Sequence, residues 1–326
     1  MWLLLAFLSA TLLGFYDSFK KAALRDNPVV PVLLLNTLFC SLIFLPFIVL
    51  SATTTVLDDT PFRVASGGWS EHRYIILKSL IVLSSWVCGY VGMKHLPLTI
   101  VGPINATRPV MVLVGAMLVF GERLNVYQWI GVLLAVVSFF MLSRSGKKEG
   151  IDFKHDRWIW FIVLAALLGA VSGLYDKFLM APRGSGGVGL DRMLVQSWYN
   201  IYQCVLMGGV FMVTRYQSNK GQRHEATLSK RSGERTRNQN GKVTPFRWTW
   251  SIVLVSVFLS AADFMYFYAL SLPAAMISVV SMIRRGSVVV SFLVAAVVFH
   301  EKNLRSKAVD LALVLLGLFF LFIGSR

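Results

Sequence analysis

Ten apolar blocks run along the chain, at residues 2–22, 29–50, 74–93, 98–120, 125–143, 157–180, 192–213, 248–271, 274–299 and 305–324. Each is close to the ~20 residues that an α-helix needs to cross a hydrocarbon core ~30 Å thick. None alternates polar and apolar positions with period two, and all are too long for strands, so the pattern predicts helices. Pro28, Pro97 and Pro273 stand where helices begin, a position at which the missing N–H costs nothing. The last three blocks follow one another through very short connections, which makes them antiparallel neighbours. The expected fold class is an all-α integral membrane protein with ten transmembrane helices.

Composition agrees with that reading. The chain of 326 residues is 56% apolar and 15% charged, with mean hydropathy +0.65, whereas a water-soluble domain carries about 25% charged residues. A net charge of +16 would suit a nucleic-acid partner, but the basic residues sit mainly between the apolar blocks. There, positive charge fixes membrane orientation. Residues 214–247 alone hold nine Lys/Arg against two Glu and show no periodicity, which reads as a mobile, solvated surface loop. The expected partners are therefore a small-molecule substrate and the lipid bilayer, with no nucleic acid. Cys40, Cys88 and Cys204 all fall inside apolar blocks and read as packing residues. Five scattered histidines (His72, His95, His155, His224 and His300) have no ligand spacing, so neither a metal nor a cofactor is expected. The first apolar run starts at Trp2 without a basic leader or a small-residue cleavage site, so it is expected to be the first membrane helix.

The two halves repeat. GFYDSF at 14–19 returns as GLYDKF at 173–178, and HLPLTIVGPINATRP at 95–109 parallels SLPAAMISVVSMIRR at 271–285. Pro97 and Pro273 each lie 11 residues before an arginine, Arg108 and Arg284, and a glutamate follows each, Glu122 and Glu301. Residues 1–145 form one five-span unit and 156–326 the second, interrupted by the 214–247 loop. An odd number of spans per unit turns the second half upside down relative to the first. Inverted repeats of this kind place a binding site near the midplane, between the halves. The charge distribution over the loops puts both termini outside.

This pattern resembles the drug/metabolite transporter superfamily, EamA type. The residues that carry the likeness are Pro97, Pro109, Gly121, Glu122, Gln128 and Gly131 in the first half, echoed by Pro273 and Glu301. The second half departs from it at Arg285, which stands where Pro109 stands in the first. The resemblance implies secondary transport without ATP, of amino acids, nucleobases, sugars, sugar phosphates or drugs, by a non-enzymatic protein. It also implies cytoplasmic termini, against the charge count. The expected location is a cell membrane of the bacterial inner-membrane kind.

Charged side chains inside a bilayer usually face a cavity or a partner. Arg108 and Arg284 lie near mid-depth, with Arg285 beside the second and Asp263 mid-span. Together with Asn105, Tyr16 and Tyr175 they are the candidate substrate-binding residues, the arginines gripping an anionic group through the guanidinium fork. Asp17 and Asp176 are candidate gates or proton-coupling residues near opposite membrane faces. A competing role for all of these is mutual neutralisation between packed helices. Lys20, Lys21 and Lys177 are expected to snorkel to the interface, and Glu122 and Glu301 to pair with Arg123, Lys302 or Arg305 at the surface. Gly14, Gly89, Gly92, Gly115, Gly169 and Gly173 are expected to permit close helix approach. Among enzymes, Tyr-Asp in a membrane helix would suit an intramembrane aspartyl protease; its second motif, G-x-G-D, is missing, GVGLD at 187–191 having one residue too many. A proton-coupled exporter of drugs or amino acids is also compatible with the pattern, and so is a non-transporting scaffold or receptor that uses the basic loop. The reading preferred is a secondary transporter of a small polar, anionic or zwitterionic metabolite, bound between spans one, four, six and nine.

Overall fold

A computed structural model of the chain describes residues 1–24, 27–95, 104, 108–144, 157–232, 246–287, 290 and 304–324. Among these residues there are ten α-helices and no strand. They are α1 (Trp2–Leu24), α2 (Val29–Thr53), α3 (Trp69–His95), α4 (Arg108–Phe120), α5 (Val126–Arg144), α6 (Arg157–Met180), α7 (Arg192–Ser232), α8 (Ser251–Ser271), α9 (Ile277–Arg285) and α10 (Leu304–Gly324).

Of the described residues, those of α1, α2, α6 and α8 are long and apolar enough to cross a membrane by length and composition. Other expected spans are covered only in part or carry more charge. The described part of α4 has 13 residues and that of α9 has 9, while α3 carries Glu71, His72, Arg73 and Lys78 in its first three turns. One expectation is overturned. Residues 214–232, expected to be loop, continue α7 as helix. Extending a helix that is already nucleated fixes one residue per hydrogen bond gained, so a polar sequence without an apolar face can still propagate it.

Helix α2 shows why the bundle belongs in lipid. Val32, Leu33, Asn36, Thr37, Cys40, Ser41 and Phe44 form its buried stripe, at the spacing of one helix face. The opposite face carries Leu38, Leu42, Leu45 and Val49, all exposed. A helix apolar on every side is stable only where its outer face meets hydrocarbon.

The helices pack in a pattern that survives exchange of the halves. The most extensive contacts join α1 to α8, α5 to α10, α3 to α6 and α2 to α7. Replacing α1–α5 by α6–α10, in order, turns α1·α8 into α6·α3, α2·α8 into α7·α3, and α4·α6 into α9·α1, all of which occur. The pairs α2·α7, α4·α9 and α5·α10 map onto themselves. Small residues set some of these crossings. A Cβ on Gly14 would lie 2.5 Å from Val290 Cβ, and one on Gly131 would lie 2.7 Å from the Gly317 carbonyl oxygen. Gly89 and Gly173 were expected to act alike, but their nearest atoms stand at 3.6 and 3.8 Å, which leaves room for a methyl.

Polar bonds tie the two halves at the end of the bundle that carries loops 54–68, 121–125, 181–191 and 272–276. Tyr175 Oη donates to the Tyr74 carbonyl at 3.2 Å, Arg192 Nη2 to the Pro61 carbonyl at 3.1 Å, and Asn125 Nδ2 to the Gly324 carbonyl.

Candidate functional site

Near this tied end, Asp176 of α6 is buried. Lys78 of α3, whose side chain is 3% exposed, forms an ion pair with its Oδ1. The Tyr266 hydroxyl of α8 donates to its Oδ2 at 3.2 Å. Removed from water, a carboxylate and an ammonium hold their charges only through such partners. The Lys78 ammonium also sits over the rings of Tyr199 (4.5 Å) and Phe267 (5.1 Å), whose negative faces attract it.

Tyr266 carries the network onward. Its other neighbour is Arg284 of α9, whose guanidinium lies 4.1 Å from the ring centroid. Arg284 Nη2 meets Asp263 Oδ1 of α8 at 2.8 Å. Lys78, Asp176, Tyr266, Arg284 and Asp263 thus form a continuous chain that alternates in charge and crosses from one half to the other.

Arg108 of α4 is placed differently. Its Nη2 donates to Ser85 Oγ at 3.3 Å, and that hydroxyl donates in turn to the Ala165 carbonyl at 2.8 Å. The guanidinium lies directly on Gly169 of α6: a Cβ there would fall 1.1 Å from Nη2. Arg108 forms no ion pair among the described residues, and its buried Nε has no hydrogen-bond partner. The repeat makes Arg108 and Arg284 equivalent in sequence, but the structure gives a carboxylate to Arg284 only.

The remaining candidate residues are dispersed. Asp17 of α1 interacts electrostatically with Lys20, Arg285 and Arg284, and Arg285 with Asp17 in return. Tyr16 is buried in a separate cluster with Ala23, Val32, Ile252 and Val255, with the Lys20 ammonium 5.4 Å from its ring. Tyr175 serves the inter-half tie to Tyr74. Asn105 lies outside the described residues, as does Glu301.

Two expectations are corrected. Glu122, expected to pair with basic side chains at the surface, caps α9 of the opposite half. Its Oε1 accepts from the Ile277 N–H at 2.7 Å and its Oε2 from the Ser278 N–H at 3.2 Å, with the Ser278 hydroxyl donating as well. Those N–H groups have no partner within the helix and carry its positive end, so a carboxylate suits them better than a solvated arginine would suit the carboxylate. Lys177, expected to snorkel, donates instead to the Ala275 carbonyl across the same end. Sequence reasoning passed over Lys78 altogether. A lone lysine inside YIILKSLIVL carries the same signal as the aspartates, a charge within an apolar run.

Comparison with known proteins gives three results. No curated protein matches the sequence. A crystal structure of a protein 15% identical superposes with a TM-score of 0.65, over 100% of this chain and 97% of the other; at that identity the likeness is one of fold. The family model that matches is that of the EamA-like transporter family, over residues 1–144. With its apolar helices the chain is an integral, multi-pass membrane protein, whose residues 1–144 are similar to the EamA-like transporter family.

Proposed function

We propose that the chain is a secondary active transporter that moves a small polar, anionic or zwitterionic metabolite by alternating access, without ATP. The observation that carries this reading is Arg108: a guanidinium between helices of both halves, held by Gly169 and Ser85, with no carboxylate partner among the described residues and an empty donor at Nε. A cation at membrane depth without a counter-charge is costly. An anionic group arriving from solution supplies that charge, and a guanidinium fork receives a carboxylate or phosphate through two parallel hydrogen bonds.

Two further observations support the alternating-access part of the proposal. The packing that survives exchange of α1–α5 with α6–α10 is what two related halves produce, and inverted repeats of five helices rock about a shared central site. The inter-half bonds of Glu122, Tyr175 and Arg192 collect at one end, as they would in a conformation sealed there. In this cycle Asp176 and Lys78 form the latch of the sealed end. Asp17 serves the opposite end. Substrate binds between α1, α4, α6 and α9, and opening requires the Lys78–Asp176 pair to separate.

The test is exchange flux into proteoliposomes, with the purified protein and a panel of labelled metabolites. Arg108→Gln should abolish saturable flux, while deletion of residues 218–242 should leave it intact. If Arg108→Gln transports at the wild-type rate, the anion site is wrong. If only the deletion stops activity, the chain acts as a scaffold through its basic segment.

A further inference from the structure

We infer that a cavity between α1, α9 and α10 holds the methyl end of an acyl chain from a bilayer lipid. The cavity has a volume of about 370 Å³, and its lining includes Phe7, Ala10, Thr11, Ile283, Leu315 and Phe319. The one hydroxyl among its described lining residues, on Thr11, already donates to the Phe7 carbonyl at 3.0 Å. Water needs two or more polar partners to settle in a buried space, and an apolar cavity of about 150 Å³ stays dry and takes up benzene instead. The present cavity is larger and offers water as little.

Contacts on either side fix its depth. Toward the tied end, the rings of Phe7 and Phe322 meet edge-on with centroids 6.3 Å apart. Toward the other end, Gly14 lets Val290 onto α1, since a Cβ there would lie 2.5 Å from Val290 Cβ. At 1.5 Å per residue, Phe7 and Gly14 lie about 8 and 18 Å along α1 from Trp2, and one leaflet of hydrocarbon is ~15 Å deep. The cavity therefore sits at the depth where the chains of the leaflet on the tied side end, beyond the reach of headgroups. Leu315 and Phe319 are half exposed, so it opens sideways into lipid, while Ala10 and Ile283 are buried at its back. A chain lying against the outer face of α2 touches one helix; a chain seated here touches three. Lipid tails are as apolar as leucine, so no hydrophobic gain drives the seating. What drives it is the dispersion contact that an unfilled lining forfeits.

The repeat shows why the space is there. GFYDSF at 14–19 and GLYDKF at 173–178 set Ala10 against Gly169, as they set the two halves in register, and Arg284 answers to Arg108. Arg108 lies over Gly169. Arg284 instead turns to Asp263 at 2.8 Å and to the Tyr266 ring, and the space beside Ala10 is the cavity. One half fills this position with its own side chain; the other leaves it to hydrocarbon. The seated chain packs against Ile283, the residue before Arg284, and so supports α9 where it carries its charges.

The test uses the full-length protein in phosphatidylcholine nanodiscs doped with a phosphatidylcholine that carries a diazirine near the methyl end of one chain or, in a second sample, near its carboxyl end. After irradiation, mass spectrometry should place label from the methyl-end probe on Thr11, Leu315 and Phe319 at about tenfold the level found on Leu38, Leu42 and Leu45, the exposed face of α2. The carboxyl-end probe should show no such excess. Thr11→Phe fills the cavity from an exposed position and should remove the excess, while Thr11→Ala should keep it, which separates filling from loss of the hydroxyl; Ala10→Phe should act like Thr11→Phe. Labelling in proportion to exposure, an equal excess from the carboxyl-end probe, or an excess that survives Thr11→Phe and Ala10→Phe would overturn the assignment. So would two other results: cavity labelling by diazirine-bearing laurate but not by the phospholipid, which would make the occupant a free amphiphile, or an unlabelled cavity in a protein that native mass spectrometry shows to be a dimer, which would make it a second copy of the chain.

Discussion

Lys78→Met is the most direct probe of the buried network. The substitution keeps the length and apolar stem of the side chain and removes only the ammonium. Both partners are out of solvent, with side chains 3% and 8% exposed, so water cannot replace the lost charge. Asp176 would retain the Tyr266 hydroxyl at 3.2 Å as its remaining hydrogen-bond partner. Breaking a buried ion pair from one side costs about 3–5 kcal/mol. The carboxyl can escape part of this by taking up a proton, so the lower end of that range is expected, with a fall in unfolding temperature on the order of 5–10 °C. The double variant Lys78→Met/Asp176→Leu removes both charges and should recover most of the loss, because well-packed apolar residues replace buried ion pairs with little or no penalty. Thermal unfolding of the wild type, Lys78→Met, Asp176→Leu and the double variant in one detergent gives the full cycle and isolates the coupling between the two side chains. If Lys78→Met unfolds within about a degree of the wild type, the pair stabilises nothing. If the double variant is as unstable as the single one, the cost belongs to packing and the electrostatic argument is refuted.

Three other outcomes follow from the geometry. Gly169→Ala places a methyl 1.1 Å from Arg108 Nη2 and should expel the guanidinium, weakening binding of the best panel solute by about tenfold or more; Gly173→Ala, with its nearest atom at 3.8 Å, should bind like wild type, and equal losses in both would refute the seat. Glu122→Ala strips two N–H partners and a hydroxyl partner from the start of α9 and should cost about 1–2 kcal/mol in unfolding measurements, an unchanged midpoint being the contrary result. Ala274 has φ 62° in the turn where the Ala275 N–H bonds the Leu272 carbonyl at 3.3 Å, a conformation that costs an L-residue roughly 1–2 kcal/mol. Ala274→Gly should therefore raise the unfolding temperature by about 1–3 °C, and a fall would show that the turn is not strained.

The helices were legible because hydropathy and block length record a property of each segment by itself. The candidate charges were legible for the same reason: Asp176, Arg284 and Asp263 interrupt apolar runs, and the structure joins them. What could not be read was partnership. Asp176 meets Lys78 across 98 positions of chain, and Glu122 meets Ile277 across 155; such pairs exist only once the two halves have packed. Glu122 had Arg123 as a neighbour in sequence, which suggested a surface pair, while the unpaired N–H groups of a helix start in the other half were the stronger attraction. The end of α7 was misread because residues 214–232 lack an apolar face, and a helix already nucleated does not need one. The repeat also suggested that Arg108 and Arg284 do the same work. Their surroundings have diverged, to Ser85 and Gly169 on one side and to Asp263 and Tyr266 on the other.

That divergence has a kinetic consequence. On the transporter reading proposed above, two halves with like packing and unlike charge partners make a carrier that is not its own mirror image across the membrane. Within such a carrier the solute meets one arginine paired with Asp263 and another with no carboxylate partner among the described residues. Detailed balance fixes only the ratio of the two fluxes at equilibrium, so the half-saturation concentrations on the two faces are free to differ. On the proposed transport cycle the protein would be a rectifier, loading more readily from one compartment than from the other.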